Sequence, residues 1–163
     1  MTRIDARDRL IVALDVPSAA EAEALVDRMG EQVRFVKVGL ELYTVAGPDI
    51  VRKLVDRGKR VFLDLKFLDI EETVRRATAR VAAMGATFLT IHANRKALVA
   101  AVQGRGQSEL KLLAVTVLTN FDGDDLREMG IQRSVRDLVT ARAALAAEVG
   151  CDGVVASGEE PEA

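Results

Sequence analysis

Short, predominantly apolar runs recur along the chain, the first five of them at intervals of roughly 25 residues, and amphipathic segments with helical spacing separate them. The runs occupy residues 10–14, 33–38, 60–65, 87–91, 112–118 and 153–156. Strands that are apolar throughout, without alternation, are typical of a parallel sheet whose faces are covered by helices. The pattern therefore predicts an α/β fold built from successive strand–helix units.

The amphipathic segments carry their own start and stop signals. Ser18 with Glu21 three residues later has the spacing of a capping box, and Pro48 predicts the start of a second helix. Glycines at the ends of four segments predict helix termini: Gly30, Gly58, Gly85 and Gly150.

Composition narrows the classes of function. The chain is 49% hydrophobic and has no shift in composition or Ser/Pro-rich linker, so we expect one domain over residues 1–163. A net charge of −2, 4% aromatic residues and no tryptophan argue against a nucleic-acid partner or an anionic membrane surface.

The number of cysteines and the N-terminal residues indicate the cellular compartment of the protein. The single cysteine, Cys151, excludes an internal disulfide and fits a reducing compartment. Charges extend to Arg9, and five apolar residues precede Asp15, which is too short for a signal peptide or a membrane span. We therefore expect a cytoplasmic protein.

Two α/β architectures fit the strand pattern. A doubly wound sheet usually has a glycine-rich loop after its first strand, whereas this turn reads DVPSAAEAE. A TIM (β/α) barrel collects its working residues at the carboxyl ends of the strands. The carboxyl ends of five successive strands carry polar residues here: Asp15, Lys37, Asp64 with Lys66, His92, and Thr119 with Asn120. A barrel is therefore predicted, with about six of its eight units in this chain, as a fragment, as one part completed by a partner, or as a variant fold.

The charges that follow the third strand allow two interpretations. Asp64 and Lys66 are two residues apart and point to the same side of an extended segment, and Asp69 comes three residues later. Two carboxylates around one ammonium keep it protonated, which suits a proton donor. Alternatively, Asp69 caps the next helix together with Glu72 and the charges are solvated. The triplet alone leaves both interpretations open.

The surrounding sequence resembles a known family. FLDLKFLDIEET, residues 62–73, is similar to FLDLKFHDIPNT, the signature of bacterial-type orotidine 5′-phosphate decarboxylases. The segments IVALDV, RFVKVGLELYTVAGPDIVRKL, TFLTIHA, LKLLAVTVLTNFD and CDGVVASG continue the resemblance in order over nearly the whole chain.

The resemblance implies a TIM barrel that converts orotidine monophosphate (OMP) to UMP and CO2 in pyrimidine biosynthesis, with neither metal nor organic cofactor. Lys66 would protonate C6 of the pyrimidine, and Asp64 would lie against the departing carboxylate. The enzyme would be a homodimer in which Asp69, with Thr73 on the same segment, reaches the partner subunit's active site.

The resemblance also implies the substrate contacts. Asp15 and Lys37 would hold the ribose, and Thr119 would lie near the pyrimidine. The family's phosphate-binding arginine belongs to a Pro-Gly-Ile-Arg-like segment on the last two units, which this sequence lacks. We therefore expect a truncated member of the family.

The chain departs from the family signature in two loops. Leu68 replaces a histidine, and Glu71 and Glu72 replace Pro-Asn. The segment 94–96 reads Asn-Arg-Lys, where members usually have a glycine pair or a Tyr-Pro-Gln type of segment. The opposite charges of the two loops could pair within one chain or between chains, so we expect an altered subunit interface.

Two alternative functions remain. Sugar-phosphate decarboxylases and synthases of the same superfamily share D-x-K-x-x-D but use Mg²⁺, and their second Asp is followed by a small residue and Gly. Ile70 and Thr73 after Asp69 favour the metal-free branch, and a lone histidine, His92, argues against a His-based metal site. The other alternative is a non-catalytic assembly module made from a partial barrel.

Overall fold

The computed structural model describes residues 9–157, in which strands and helices alternate. The strands are β1 (Ile11–Ala13), β2 (Phe35–Gly39), β3 (Arg60–Phe67), β4 (Phe88–His92), β5 (Lys111–Val115) and β6 (Gly153–Val155). The helices are α1 (Ala19–Met29), α2 (Leu40–Asp56), α3 (Glu71–Ala83), α4 (Arg95–Arg105), α5 (Gly123–Glu128) and α6 (Val135–Val149). The strand order in the sheet is β1-β2-β3-β4-β5-β6, which is the sequential order of a (β/α) barrel and not the reversed order of a doubly wound sheet.

Some boundaries follow the sequence signals and others do not. The Ser18 hydroxyl accepts a hydrogen bond from the Glu21 amide, and Gly150 ends α6 in the left-handed conformation. Helix α2, however, begins at Leu40, well before the predicted start at Pro48. Gly47 has φ +62° and interrupts this helix, so Pro48 begins its second segment, where a missing N–H does no harm. Expectations for residues 1–8 and 158–163 lie outside the described residues.

The chain forms two compact units, and the expectation of one domain over residues 1–163 stays a prediction. The first unit comprises residues up to 65, 80–89 and 108–110. In it, β1 pairs parallel with β2 and β2 with β3, and the buried Val36 lies opposite Val61. The Phe88 ring contacts the rings of Phe35 and Phe62, at centroid distances of 5.1 and 5.9 Å.

The second unit comprises residues 66–79, 90–107 and 111 onward. In this unit, a cluster of charged side chains around Asp152 binds the starts of β5 and β6 together. The Asp152 carboxylate accepts hydrogen bonds from Arg105, at 2.5 Å, and from the Leu112 amide, at 2.9 Å. Lys111 lies 3.3 Å from the other carboxylate oxygen. Asp152 thus joins the end of α4 to the starts of β5 and β6.

Helices α3 and α4 approach each other closely within the second unit. A Cβ at Gly104 would lie 2.2 Å from the Arg75 carbonyl oxygen, so only glycine permits this approach. Among the described residues, the Thr78 hydroxyl under this contact is the one buried side-chain polar group without a hydrogen-bond partner. Within residues 9–157, no helix is both long enough and apolar enough to cross a membrane.

Candidate active site

Two candidate carboxylates, those of Asp15 and Asp64, flank the ammonium of a third candidate residue, Lys37, toward the carboxyl ends of β1 to β3. The Lys37 ammonium donates to an Asp15 carboxylate oxygen at 3.1 Å and lies 3.8 Å from an oxygen of Asp64. The side chains of Lys37 and Asp64 are only 23% and 16% exposed, so these charges are largely shielded from water. Lys37 is held there because its neighbours on the strand, Val36 and Val38, are buried on the opposite face.

Gly39 makes room for this ion cluster, and sequence reasoning did not single it out. It lies opposite Asp64 in the pairing of β2 with β3. A Cβ at this position would lie 3.2 Å from the Lys37 nitrogen and 3.4 Å from an Asp15 oxygen. A side chain there would require the ammonium to shift by a few tenths of an ångström. The sequence signal that could have indicated Gly39 was a glycine two residues after the charged Lys37 at the end of a strand.

Lys66 has an unusual backbone. Its φ is +50°, and it is the one non-glycine residue of the described part of the chain with positive φ. The left-handed conformation costs a residue with a Cβ about 1–2 kcal/mol. Such strain persists only where the surroundings impose it, and it is concentrated at functional sites. The Lys66 amide donates a 2.9 Å hydrogen bond to the hydroxyl of Thr90, which is fully buried.

Asp69 lies on an exposed segment that leads into α3, and Thr73 lies exposed in the first turn of that helix. An Asp69 oxygen accepts from the amide of Ile70 at 2.6 Å, whereas an N-cap side chain bonds an amide two or three residues further on. This bond is therefore not the helix cap of the alternative interpretation. Leu68 and Ile70, on either side of Asp69, are 59% and 76% exposed, which is unusual for two such apolar residues in one short segment.

Thr119 lies in an exposed turn after β5. It lines a cavity of about 260 Å³ together with Phe121, Val135 and Ser157. The structure thus gives Thr119 a concave surface within its own unit, and its role toward a pyrimidine stays a prediction.

His92 ends β4 and lines a cavity of about 380 Å³, whose wall also includes Leu68, Thr116 and Arg142. Burial, followed by the positive charges of Arg142 and Lys66, lowers the pKa of His92. Burial also lowers the pKa of Arg142, whose guanidinium donates to the Thr116 carbonyl oxygen. Sequence reasoning missed Arg142, although an arginine within the alanine-rich helix α6 was a signal.

The two loops that depart from the family signature carry charges that pair within the chain. Lys96 lies 3.0 Å from Glu71, and Arg95 forms two hydrogen bonds with Glu148, at 2.8 and 2.7 Å. Hydrogen bonds from two arginines of the next turn lower the pKa of Glu72 to about 2. Of the predicted pairing between the two loops, Lys96 with Glu71 is found within the chain, whereas Arg95 and Glu72 pair with residues outside the loops. All of these groups are exposed, so each ion pair contributes little to stability.

Burial raises the pKa of Cys151 to about 11, so its thiol stays protonated at neutral pH. Within residues 9–157, no three His, Cys, Asp or Glu side chains are grouped so as to hold a metal ion.

The sequence as a whole places the chain in a family. The family model described as orotidine 5′-phosphate decarboxylase / HUMPS family matches residues 8–163. The chain belongs to this family, which confirms the resemblance of its signature segment.

Individual relatives are similar over most of the chain. An orotidine 5′-phosphate decarboxylase of Nitrobacter winogradskyi is 54% identical over 95% of this chain, and one of Rhodopseudomonas palustris is 53% identical over 94%. The matches span 65% and 66% of those relatives' own lengths, so the chain covers about two thirds of each.

Solved structures agree with the fold. The crystal structure of orotidine 5′-phosphate decarboxylase from Lactobacillus acidophilus is 38% identical and superposes with a TM-score of 0.85, over 91% of this chain and 70% of that one. An uncharacterized conserved protein from Geobacillus kaustophilus gives 42% identity and a TM-score of 0.87, over 92% and 74%. The predicted α/β fold of TIM-barrel class is confirmed, with six parallel strands in the described residues.

Strain at Lys66 can be measured by comparing two truncations that remove the same ammonium. We expect Lys66→Gly to be more stable than Lys66→Ala by about 1 kcal/mol, because glycine adopts positive φ freely. Urea unfolding measures the difference. At Lys37, which lacks positive φ, glycine should instead be the less stable of the two by about 0.5–1 kcal/mol. The same order at both positions would contradict strain at Lys66.

The lowered pKa of His92 predicts a pH dependence of stability. The unfolded chain takes up a proton near pH 6.5 whereas the folded chain resists it, so stability falls as pH drops from about 6.5 toward the folded pKa. His92→Gln should flatten the dependence in this window and leave it unchanged above pH 7.5. Urea midpoints from pH 5 to 8 provide the measurement, and equal slopes in both proteins would contradict it.

Proposed function

We propose that this chain carries the decarboxylase chemistry of its relatives and converts OMP to UMP and CO2. The observation that carries the proposal is a D-x-K-x-x-D array whose lysine has a strained backbone. Asp64 of the same array belongs to the shielded ion cluster with Lys37. A strained lysine close in sequence to a shielded carboxylate is typical of a catalytic site and has no evident use in a solvated helix cap.

Lys66 is the proposed proton donor. The bond between C6 of the pyrimidine and the substrate carboxylate breaks, and its electron pair stays on C6. The ammonium of Lys66 then donates a proton to C6, CO2 departs, and the resulting amine recovers a proton from water. The negative charge on C6 exists only in and after the transition state, so an ammonium fixed in place beforehand stabilises that state selectively.

The ion cluster has two proposed tasks. Asp64 lies against the substrate carboxylate, where like charges favour its loss as neutral CO2. Asp15 and Lys37 hold the ribose, whose hydroxyls suit one acceptor and one donor. Their ion pair supports this role because it fixes both side chains before the substrate arrives. Thr119 is proposed to contact the pyrimidine.

We also propose a cytoplasmic homodimer with an active site shared between subunits, acting on a small nucleotide without metal or organic cofactor. Asp69 and Thr73 lie on an exposed segment, so they are available to a partner subunit. The exposed Leu68 and Ile70 on that segment would lose contact with water on pairing. The interface is thus apolar rather than charge-driven, because Glu71 and Arg95 are paired within the chain.

The direct test is an assay of OMP decarboxylation, which is monitored through the loss of the substrate's ultraviolet absorbance. It uses the 163-residue chain and a chimera in which residues 1–157 precede the remaining third of the Nitrobacter winogradskyi relative. Lys66→Ala in the active protein should lower kcat by roughly 10²–10⁴-fold, the contribution of a positioned proton donor. Lys53→Ala, which removes an exposed helix lysine paired with Glu23, should leave kcat unchanged.

Each other outcome has a defined meaning. Equal rates for Lys66→Ala and the parent protein would refute the assigned proton donor. Activity that is lost on adding a chelator and restored by Mg²⁺ would favour the sugar-phosphate branch. A folded chimera that turns over no OMP would favour the non-catalytic assembly module.

The shared site can be tested by mixing two inactive variants of the active protein. A heterodimer of Lys66→Ala and Asp69→Ala has one complete site, since Lys66 and Asp69 of one site come from different subunits. Random pairing should therefore restore about a quarter of the parent activity.

A matched control mixes Lys66→Ala with Asp64→Asn. These two residues belong to the same subunit's site, so no activity should return. Recovery of activity in the control mixture would refute the sharing of Asp69 between subunits. So would a lack of activity in the first mixture when sedimentation shows that dimers are present. The sedimenting mass should not depend on salt, because the pairing is apolar.

A further inference from the structure

The direction of the Lys66 side chain depends on an unusual backbone. A residue with φ of +50° breaks the regular alternation of side chains along a strand, so its own torsions decide where the ammonium points. A lysine could relax to ordinary extended geometry if nothing opposed it, since that geometry has lower energy. Some contact must therefore hold the Lys66 peptide in the left-handed conformation.

Thr90 makes one such contact. Its hydroxyl oxygen accepts the hydrogen bond of the Lys66 amide at 2.9 Å. Thr90 is fully buried on β4, next to the equally buried Ile91, and a β-branched side chain is restricted to few rotamers. The acceptor is therefore fixed in position, and the amide that it binds is fixed with it.

We propose that Thr90 is a positioning residue that holds Lys66 in its strained conformation and so aims the ammonium. The proposal rests on the proposed function of Lys66 and adds a residue that touches no substrate. Valine in place of Thr90 keeps the shape but offers no acceptor, and the Lys66 amide would then lose this hydrogen bond. Serine keeps the acceptor and should keep the positioning.

The first measurement is the rate of hydrogen exchange at the Lys66 amide, which NMR detects in the 163-residue chain. Thr90→Val should lower the protection factor of this amide about tenfold, and Thr90→Ser should keep it within about threefold of the parent value. The matched control is Thr78→Val, which removes an equally buried hydroxyl without a partner. It should leave exchange at Lys66 unchanged. If Thr90→Val does not fold, Thr90→Cys serves instead, because a thiol is a weak acceptor.

The second measurement is kinetic and uses whichever protein turns over OMP. Thr90→Val should lower kcat about tenfold with little change in KM, because a misdirected ammonium fails only when charge develops on C6. Thr90→Ser should restore kcat, and Thr78→Val should not alter it. A role in stability alone would lower the unfolding midpoint without this separation of kcat from KM.

The outcomes separate this proposal from the proposed function. Unchanged hydrogen exchange at the Lys66 amide in Thr90→Val would overturn the positioning role of Thr90. Faster exchange with an unchanged kcat would also overturn it. Faster exchange together with a lower kcat supports it. If no parent protein turns over OMP, the proposed function fails, and the exchange measurement still decides whether Thr90 holds Lys66.

Discussion

The register between parallel strands determines which charges meet in this protein. Main-chain hydrogen bonds place Ala13 opposite Lys37 and Gly39 opposite Asp64, so the polar ends of β1, β2 and β3 lie at one edge of the sheet. A slip of one residue would send Lys37 to the other face, where its neighbours Val36 and Val38 are buried. The apolar packing of these strands thus keeps an ammonium and two carboxylates together.

Fixed charge and backbone strain are concentrated in the same short part of the sequence. Asp64 is shielded and ion-paired, and two residues later Lys66 adopts a conformation that few residues with a Cβ adopt. Both features lower stability unless neighbouring groups compensate, and here the neighbours are specific: Lys37 for the carboxylate and Thr90 for the amide. Preorganisation of this kind is needed where charge must be stabilised as it forms.

The sequence predicted the repeated pattern well and the individual contacts poorly. Apolar runs and glycine stops located six strands and several helix ends, because burial and positive φ leave clear traces in residue choice. The first part of α2 was missed, since its N-cap position is Gly39, which offers no capping side chain. The D-x-K-x-x-D spacing drew attention to Lys66. Its positive φ could not be predicted, because it accompanies a hydrogen bond to Thr90, 24 residues away.

The close approach at Gly104 has a consequence for how the protein could change over time. Since a Cβ there would collide with the Arg75 carbonyl oxygen, this position sets the spacing of α3 and α4. Helix α3 directly follows the exposed segment with Asp69 and Ile70, so a wider gap would displace that segment without altering any of its residues. Position 104 therefore sets a helix spacing through which evolution could move this exposed segment while every reactive group stays the same.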